Sequence, residues 1–499
     1  MFDSILLAAV PNDRNYFAQK SYGVHRTATE FRKQGLSCQV VHYFNRFSDK
    51  ELTSLIDSMV GDDTKIVGFS TMFWEHFDDV EKKIVMDKTK FVANYLYMMY
   101  PDVKIIAGGP SCRILLDELI QLDAIFEGFS ENDFIKYIRG ENPIPNQFHN
   151  ETQIFNNING SFDFTTSVIT YEANDHMDHT DVPILEVARG CIFRCKFCAF
   201  ALNGKKKLDY IKDPKVLRDE LIRNYEEHGI QNYIFSDDTF NDSPYKVELL
   251  HDVFTNLDFR VNFSTYLRLD LLNAHKQEIQ QLKEMGMVGA FFGVESFHKK
   301  ASALVGKGMD PDHAKEMLSY LKEEAWGDDI KIGIGLITGL PYETYESYDE
   351  TIEWILDEKN KIDQVVPFPL SVTNPNNVRP QPWDSEFQKN ADKYGFQWPD
   401  GSSTNWINTI GPVSSRDEAV DLWMRMRGAV QQTKRQKQGG FNLLKTYPLA
   451  QHADPNITLE KLLKMDRYTY SEWLENNIND EVENRYVECY KSKLKGNNY

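Results

Sequence analysis

The strongest constraint on the fold is an alternation of short apolar runs with longer helical patterns, which occurs twice along the 499 residues. In the first stretch, Ser4–Val10, Cys38–Tyr43, Lys65–Ser70, Val103–Ala107 and Asp123–Glu127 read as buried strands. Helical patterns separate them around Gly23–Lys33, Asp49–Met59 and Asp79–Tyr100, with further ones opening at Cys112 and Glu131. Strands spaced by helices of this length pair in parallel, because each connection must cross back over the sheet. Residues 1–145 are therefore predicted to form a doubly wound parallel sheet. Such sheets take ligands outside the carboxyl ends of their strands. Here those ends carry Gly68 and Ser70, then Gly108 and Gly109, then Gly128 and Ser130. Glycine there lets backbone approach a flat or phosphorylated ligand. Glycine also ends strands for purely steric reasons, so the weight rests on three equivalent positions taken together.

Residues 146–182 are polar, rich in Asn and His, and are predicted to be a linker with little regular structure. The alternation restarts at 183 with the apolar run Pro183–Ala188. Five more strand patterns follow, Gln231–Ser236, Phe259–Tyr266, Val288–Val294, Ile330–Ile337 and Gln364–Leu370. Asp213-Pro214 supplies an N-cap and a first-turn proline for the helix after the first strand, and Gly229 stops it. Six such units fall short of a closed eight-stranded ring. Residues 183–374 are thus predicted to be a partial (β/α)6 barrel of the TIM type, with chemistry at its strand C-termini. Residues 375–499 are predicted to be a mostly helical region. Its aromatics Trp383, Phe387, Phe396, Trp398 and Trp406 are read as core packing in preference to a substrate pocket.

The chemistry sits on the loop after the first barrel strand. Cys191, Cys195 and Cys198 form a CxxxCxxC set that brings three thiolates to one centre and supplies no fourth. Four-cysteine sets close a site, whereas three leave a coordination position open for a reacting ligand. Other strand ends carry Asp237 and Asp238, Arg268, Glu295, and the run Gly335 to Glu343 that includes Gly339. Each has a plainer reading, a helix cap for the acids and a surface ion pair for Arg268. Cys38, Cys112 and Cys489 are scattered, which is no secreted disulfide framework. If the three thiols instead held a structural zinc in a non-catalytic binding protein, His176 or His179 would be the nearest fourth ligand.

With 75 acidic and 56 basic residues the chain carries a formal charge of −19, which argues against holding nucleic acid through its phosphates. No apolar run is long enough to span a bilayer, and the first residues lack a charged leader, so a cytoplasmic location without a membrane partner is expected.

The cysteine loop, with an aromatic (Phe197) just before its last cysteine, resembles that of the radical S-adenosylmethionine superfamily. The glycine-ended first domain resembles that of its subclass with an N-terminal cobalamin-binding domain. The resemblance runs from about residue 4 to 374 and implies the following. Cys191, Cys195 and Cys198 hold a 4Fe–4S cluster whose open iron is chelated by S-adenosylmethionine, which is cleaved to a 5′-deoxyadenosyl radical. Phe197 packs on the adenine, Glu295 takes the ribose hydroxyls, and Asp237 and Asp238 meet the amino group. Arg268 pairs with the carboxylate, and the stretch from Gly335 through Gly339 lets backbone approach the adenine. Cobalamin would sit at Gly68, Ser70, Gly108 and Gly109, although the DxHxxG motif of one cobalamin-binding group is absent. The expected activity is cobalamin-dependent methylation of an unactivated carbon on a small-molecule or peptide substrate, with electrons from a flavodoxin or ferredoxin-type protein. The alternative is a radical rearrangement, cyclisation or oxidoreduction without methyl transfer.

Overall fold

The computed structural model describes all residues except 120, 158–161, 201, 203, 206–208, 377–383, 400 and 497–499, so Trp383 lies outside the described residues. Seven strands build the first sheet: β1 (Ser4–Ala8), β2 (Cys38–His42), β3 (Ile66–Ser70), β4 (Lys104–Gly108), β5 (Ala124–Gly128), β6 (Gln147–His149) and β7 (Thr152–Asn157). They lie in the order β2-β1-β3-β4-β5-β7-β6. All neighbours are parallel except the edge pair β6–β7. Successive side chains of a strand point to opposite faces, and β1 obeys this. Ile5 and Leu7 enter a core shared with the helices Asp49–Met59 and Asp79–Met99. Leu6 and Ala8 enter a second core with Val24, Ala28 and Phe31 of the helix Tyr22–Lys33. The sheet is therefore covered on both sides, as a doubly wound sheet must be.

The linker expected over 146–182 is only partly a linker. Thr152–Asn157 buries Ile154 and Phe155 and extends the first sheet beyond β5. Its Asn-rich composition reflects a strand near the sheet edge, where polar side chains face water. Further on, Ile169, Tyr171 and Met177 pack into the barrel core. The helix Tyr22–Lys33 holds the same segment from the other side, through Arg32 on Asp175 at 2.7 Å.

The second sheet is β8 (Ile184–Leu185), β9 (Asn232–Phe235), β10 (Asn262–Leu267), β11 (Met287–Glu295), β12 (Lys331–Thr338) and β13 (Gln364–Pro369). Its order is sequential and every pairing is parallel, so it is an open arc with β8 and β13 at its edges. The first connecting helix, Pro214–His228, starts and stops as its sequence dictates. Asp213 accepts from the amides of Lys215 and Val216, and Gly229 closes it at φ 71°.

The C-terminal region ties the two sheets together. The helix Gly440–Ala453 packs across β9 to β12 and buries Phe441, Leu443 and Leu444 there, while its Leu449 joins the first-sheet core. The helix Asp480–Gly496 adds Val487, Tyr490 and Leu494 to that same core, and Tyr490 Oη accepts from the His42 amide at 2.9 Å. Phe387, Phe396 and Trp406 pack together beside Ile337 and Leu370 of the barrel. Among the described residues no helix is long and apolar enough to cross a membrane.

Barrel and C-terminal helix touch backbone to backbone at Gly289 on β11, where an added Cβ would lie 2.4 Å from Gly440 Cα. Backbone cannot retreat from such a contact. Gly289→Val is expected to lower stability by about 1–3 kcal/mol, as overpacking does, read as an earlier urea midpoint; an unchanged midpoint would show that the helix does not seat there.

Candidate functional site

The cysteine loop leaves β8 through Glu186–Gly190 and turns sharply. Gly190 has φ 110°, and a Cβ there would lie 2.7 Å from the Leu202 carbonyl, so glycine is required just before Cys191. Cys191 then pairs its amide with Leu202 O at 3.2 Å and its carbonyl with the Lys205 amide at 3.0 Å. Cys191 is buried, whereas Cys195 and Cys198 are partly exposed. The Phe193 amide donates to Cys191 Sγ at 3.4 Å, and Arg268 Nη1 donates to Cys195 Sγ at 3.5 Å. Burial nevertheless pushes the Cys191 thiol above its ordinary range, against the donation from Thr239 and the Phe193 amide.

Among the described residues no three His, Cys, Asp or Glu groups stand close enough to share a single ion. A zinc ion needs its thiolates within about 4 Å of one another. The zinc reading also lacks its fourth ligand. His179 lies against Gly229, which precedes β9 and so marks the opposite end of the barrel. The His176 carbonyl accepts from Lys20 Nζ at 2.8 Å, and its ring faces Tyr490.

The three cysteines open onto a chamber of about 530 Å³ at the strand C-termini of the barrel. Phe197, Asp237, Asp238, Arg268, Glu295 and Gly335 all line it, so six of the predicted positions converge. Arg268 makes two bonds to Asp270, at 3.0 and 2.7 Å, and lies 4.0 Å over the Phe193 ring. Burial pushes the Asp238 carboxyl up to about 6, helped by the neighbouring Asp237. Glu295 follows a bulge in β11 and has φ 69°, a left-handed conformation held at few non-glycine positions. That turn folds its carboxylate back over Gly293, where a Cβ would meet Oε1 at 2.3 Å, and sets it 3.2 Å from Lys307 Nζ. Lys307 lines the chamber too, and its pairing with Glu295 was not read from the sequence. The run Gly306-Lys307-Gly308 after a short helix was the available signal.

Three predicted residues play other parts. Asp237 touches the chamber, but its side chain is fully buried, bonding Lys246 Nζ at 2.7 Å and the Ala188 amide at 2.9 Å. Lys246 also reaches the Thr239 carbonyl at 3.0 Å, and Thr239 Oγ1 lies 3.5 Å from Cys191 Sγ. Asp237 thus braces the cysteine loop from below. Gly339 faces away from the chamber, since a Cβ there would meet Ala419 at 2.6 Å and Trp406 at 3.0 Å. Glu343 is buried behind β12, accepting from Ser296 Oγ at 2.5 Å and from Tyr348 Oη. Burial raises its carboxyl to about 8.

A second cavity, of about 320 Å³, opens at the strand ends of the first sheet. Gly68, Ser70, Gly108 and Gly109 line it, with Gly128 and Ser130. Gly109 has φ 107° and no room for a Cβ, which would sit 2.9 Å from Thr71 Oγ1. Its remaining wall comes from Tyr22, Arg26, Glu131, Glu186 and Arg189. Glu186 bonds Arg26 at 3.0 Å and Arg189 at 2.7 Å, and Arg189 reaches Glu131 at 2.7 Å. Two atoms of this wall, Arg26 Nε and Glu131 Oε2, are buried without a hydrogen-bond partner. Such atoms in a cavity wall are available to a polar ligand.

Residues 185–355 match the family model of the Radical SAM superfamily. Among curated proteins, the anaerobic magnesium-protoporphyrin IX monomethyl ester cyclase of Cereibacter sphaeroides is 28% identical over 180 residues, covering 35% of this chain and 28% of that protein. The curated relatives are matched over about a third of their own length. Among solved structures, the radical S-adenosylmethionine methyltransferase TsrM from Kitasatospora setae, with cobalamin and a 4Fe–4S cluster bound, aligns at TM-score 0.57. The alignment covers 81% of this chain and 82% of that one at 13% identity. The cobalamin-dependent S-adenosylmethionine radical enzyme OxsB, with aqua-cobalamin and S-adenosylmethionine bound, aligns at TM-score 0.57 over 99% of this chain and 80% of that one, at 12% identity. At such identities the likeness is one of fold.

Glu343 makes a pH signature. Its pKa is 4.5 in the open chain and about 8 when folded, so folding takes up a proton between those values. Stability from this group is full below about pH 4.5 and is lost as pH rises through 8. Glu343→Gln is expected to stabilise the protein by about 3 kcal/mol at pH 7 and by almost nothing near pH 4.5. Urea midpoints at the two pH values check this; equal gains at both would remove the titration argument.

Proposed function

The chain carries a domain of the Radical SAM superfamily, and from that premise we propose that it is a cobalamin-dependent radical enzyme that methylates an unactivated carbon. The carrying observation is that one segment, Glu186 to Cys191, walls both cavities: Glu186 and Arg189 face the first-sheet cavity, and Cys191 faces the barrel chamber. A ligand in the first cavity and a radical source in the second would therefore be neighbours across five residues of chain.

In this reading Cys191, Cys195 and Cys198 hold a 4Fe–4S cluster, which supplies the electron that cleaves S-adenosylmethionine to a 5′-deoxyadenosyl radical. The donor set fits, with three thiols, a donor amide at one and a guanidinium at another. The Arg268 guanidinium, held by Asp270 through Nε and Nη2 and reaching Cys195 Sγ through Nη1, would offer its charge to the carboxylate of S-adenosylmethionine. Asp238 meets the amino group, and that cation would draw its raised pKa back down. Glu295 takes the ribose hydroxyls, Phe197 covers the adenine, and Gly335 leaves it room. Asp237 positions the loop instead of touching the ligand.

Cobalamin, which would supply the methyl group, would use the first cavity as one part of its site, against the glycine-lined floor and the unpartnered Arg26 Nε and Glu131 Oε2 in its wall. The amide-rich rim of a corrin offers acceptors to the first and donors to the second. A flavodoxin or ferredoxin-type protein is the proposed electron donor. The cyclase named above favours a second reading, radical ring closure without methyl transfer. Methylthiolation is disfavoured, since the sequence has no second three-cysteine set to donate sulfur.

The test is anaerobic reconstitution with iron, sulfide and methylcobalamin. Corrinoid absorbance is expected to survive gel filtration, and turnover to give both S-adenosylhomocysteine and 5′-deoxyadenosine. Full activity without cobalamin, or 5′-deoxyadenosine alone, would replace methyl transfer by the second reading. A Cβ on Gly108 meets nothing closer than Phe126 O at 3.6 Å, so a larger side chain there enters the cavity without strain. Gly108→Leu is expected to weaken corrinoid retention by about tenfold or more, equivalent to at least about 1.4 kcal/mol, with iron content unchanged.

A further inference from the structure

Lys445 is a half-buried cation at the junction of the two sheets' strand ends. It lies on the helix Gly440–Ala453, one turn after Phe441, so both side chains share a face. Phe441 packs on Tyr266 and Phe291, ring centroids 4.7 and 6.3 Å away, and both of those rings line the cysteine chamber. Lys445 Nζ lies 4.3 Å over the ring of Tyr16, which follows β1. Tyr16 stacks on His76 at 4.1 Å and tilts against Phe73 at 6.0 Å, and those two residues follow β3. One helix face thus spans from the strand ends of the barrel to the strand ends of the first sheet, with an ammonium at the junction.

Among the described residues that ammonium has no hydrogen-bond acceptor and no carboxylate within ion-pair distance. Its nearest acid is Asp13, on an exposed loop, with Oδ1 accepting from the Asn15 amide. Burial lowers its pKa to about 8 despite Asp13, and its field lowers that of His76. An ammonium held on an aromatic face is kept charged by the ring quadrupole but left without an anion. The buried lysines among the described residues are each paired with a carboxylate, as Lys246 is with Asp237 and Lys212 with Glu220 at 2.6 Å, whereas the buried Arg435 is held by backbone carbonyls alone. Exposed apolar side chains stand at both sets of strand ends. Tyr266 is 44% exposed, Phe368 53% and Met72 37%, and these come from β10, β13 and the β3 loop respectively.

We propose that the space between the two strand-end faces receives a substrate with a flat unsaturated body and an anionic group, a carboxylate or a phosphate ester. The body lies against Tyr266, Phe291, Phe368 and Met72, and Lys445 takes the anion. This rests on reading the barrel chamber as the radical site. Anchoring one end of the molecule at Lys445 lays its body across the chamber mouth, where positioning governs which hydrogen is abstracted.

The test uses the reconstituted holoenzyme and three probes with one flat body: 1-pyrenebutyrate, 1-pyrenebutanol and the phosphate monoester of that alcohol. Binding is read by pyrene fluorescence anisotropy. At least one anion is expected to bind about tenfold tighter than the alcohol, and the better anion identifies the group. Lys445→Met is expected to abolish that preference with alcohol affinity unchanged, and Lys445→Arg to restore most of it. Equal binding of acids and alcohol, or a preference that survives Lys445→Met, overturns the proposal. So does loss of corrinoid from Lys445→Met with probe preference intact, because the amine would then serve the cofactor. Iron content and reductive cleavage of S-adenosylmethionine in the same preparations report on the radical site separately. Their absence refutes the radical reading whatever the probes do.

Discussion

Everything at the strand ends depends on how the segment Glu186–Cys191 is held. On one side Glu186 and Arg189 join Arg26 and Glu131 of the first domain in a buried chain of alternating charge. On the other, Asp237 grips the Ala188 amide and is itself held by Lys246, which also bonds the Thr239 carbonyl. Buried ion pairs contribute little net stability, since desolvation offsets most of their attraction. Removing one partner is another matter, because it strands the rest at about 3–5 kcal/mol. The two networks therefore act as a geometric constraint. They permit one placement of the cysteine loop relative to both sheets and penalise any other.

The same desolvation explains the proton affinities nearby. Asp238 and Glu343 are raised mainly by burial, while Glu186, equally buried, is held down to about 2 by Arg189 and Arg26. The difference is whether a cation is built in. Glu186 has two and is a structural anion. Glu343 has none and stays protonated behind β12. Asp238 lies between these cases, in the chamber, with burial as its largest influence, the neighbouring Asp237 adding to it and Lys246 only partly offsetting both. A carboxyl in that condition is one a bound ammonium would ionise. Lys445 is the converse, a cation over the ring of Tyr16 whose nearest acid, Asp13, does not offset its burial.

The fold was largely legible because it depends on local pattern. Period-2 burial in β1, the Asp213-Pro214 start and the Gly229 stop are all written in residues close in sequence. The last two strands, β6 and its inner neighbour β7, were not, because only Ile154 and Phe155 of β7 are deeply buried apolar residues and the rest reads as linker. At the site, the cysteines and the strand-end positions of Asp238, Arg268 and Glu295 followed from counting βα units. Sequence position alone does not say which way a side chain turns. Asp237 and Asp238 are adjacent, yet one enters the barrel wall and the other the chamber. Gly339 was read as leaving space for a ligand, but it leaves space for Trp406 and Ala419, which lie 67 and 80 positions further along the chain. Contacts of that range, like those of Lys307 and Lys445, have no local signal.

The open arc explains why the C-terminal region is built as it is. Six parallel strands leave a seam, and the inner faces of β9 to β12 would be wet without a cover. The helix Gly440–Ala453 supplies that cover and meets β11 through Gly289 and Gly440, where only two glycines allow backbone to touch backbone. Filling the interior from that side leaves the strand C-termini as the free face, and there the first domain stands opposite. A helix that fills the barrel and also places Lys445 against Tyr16 therefore couples two requirements in one element. Packing at Phe441 fixes the depth of the barrel floor, and the next turn fixes where the ammonium stands relative to the cysteines. A change that shifts this helix along its axis would move the anion site and the chamber wall together, at a rise of about 1.5 Å per residue.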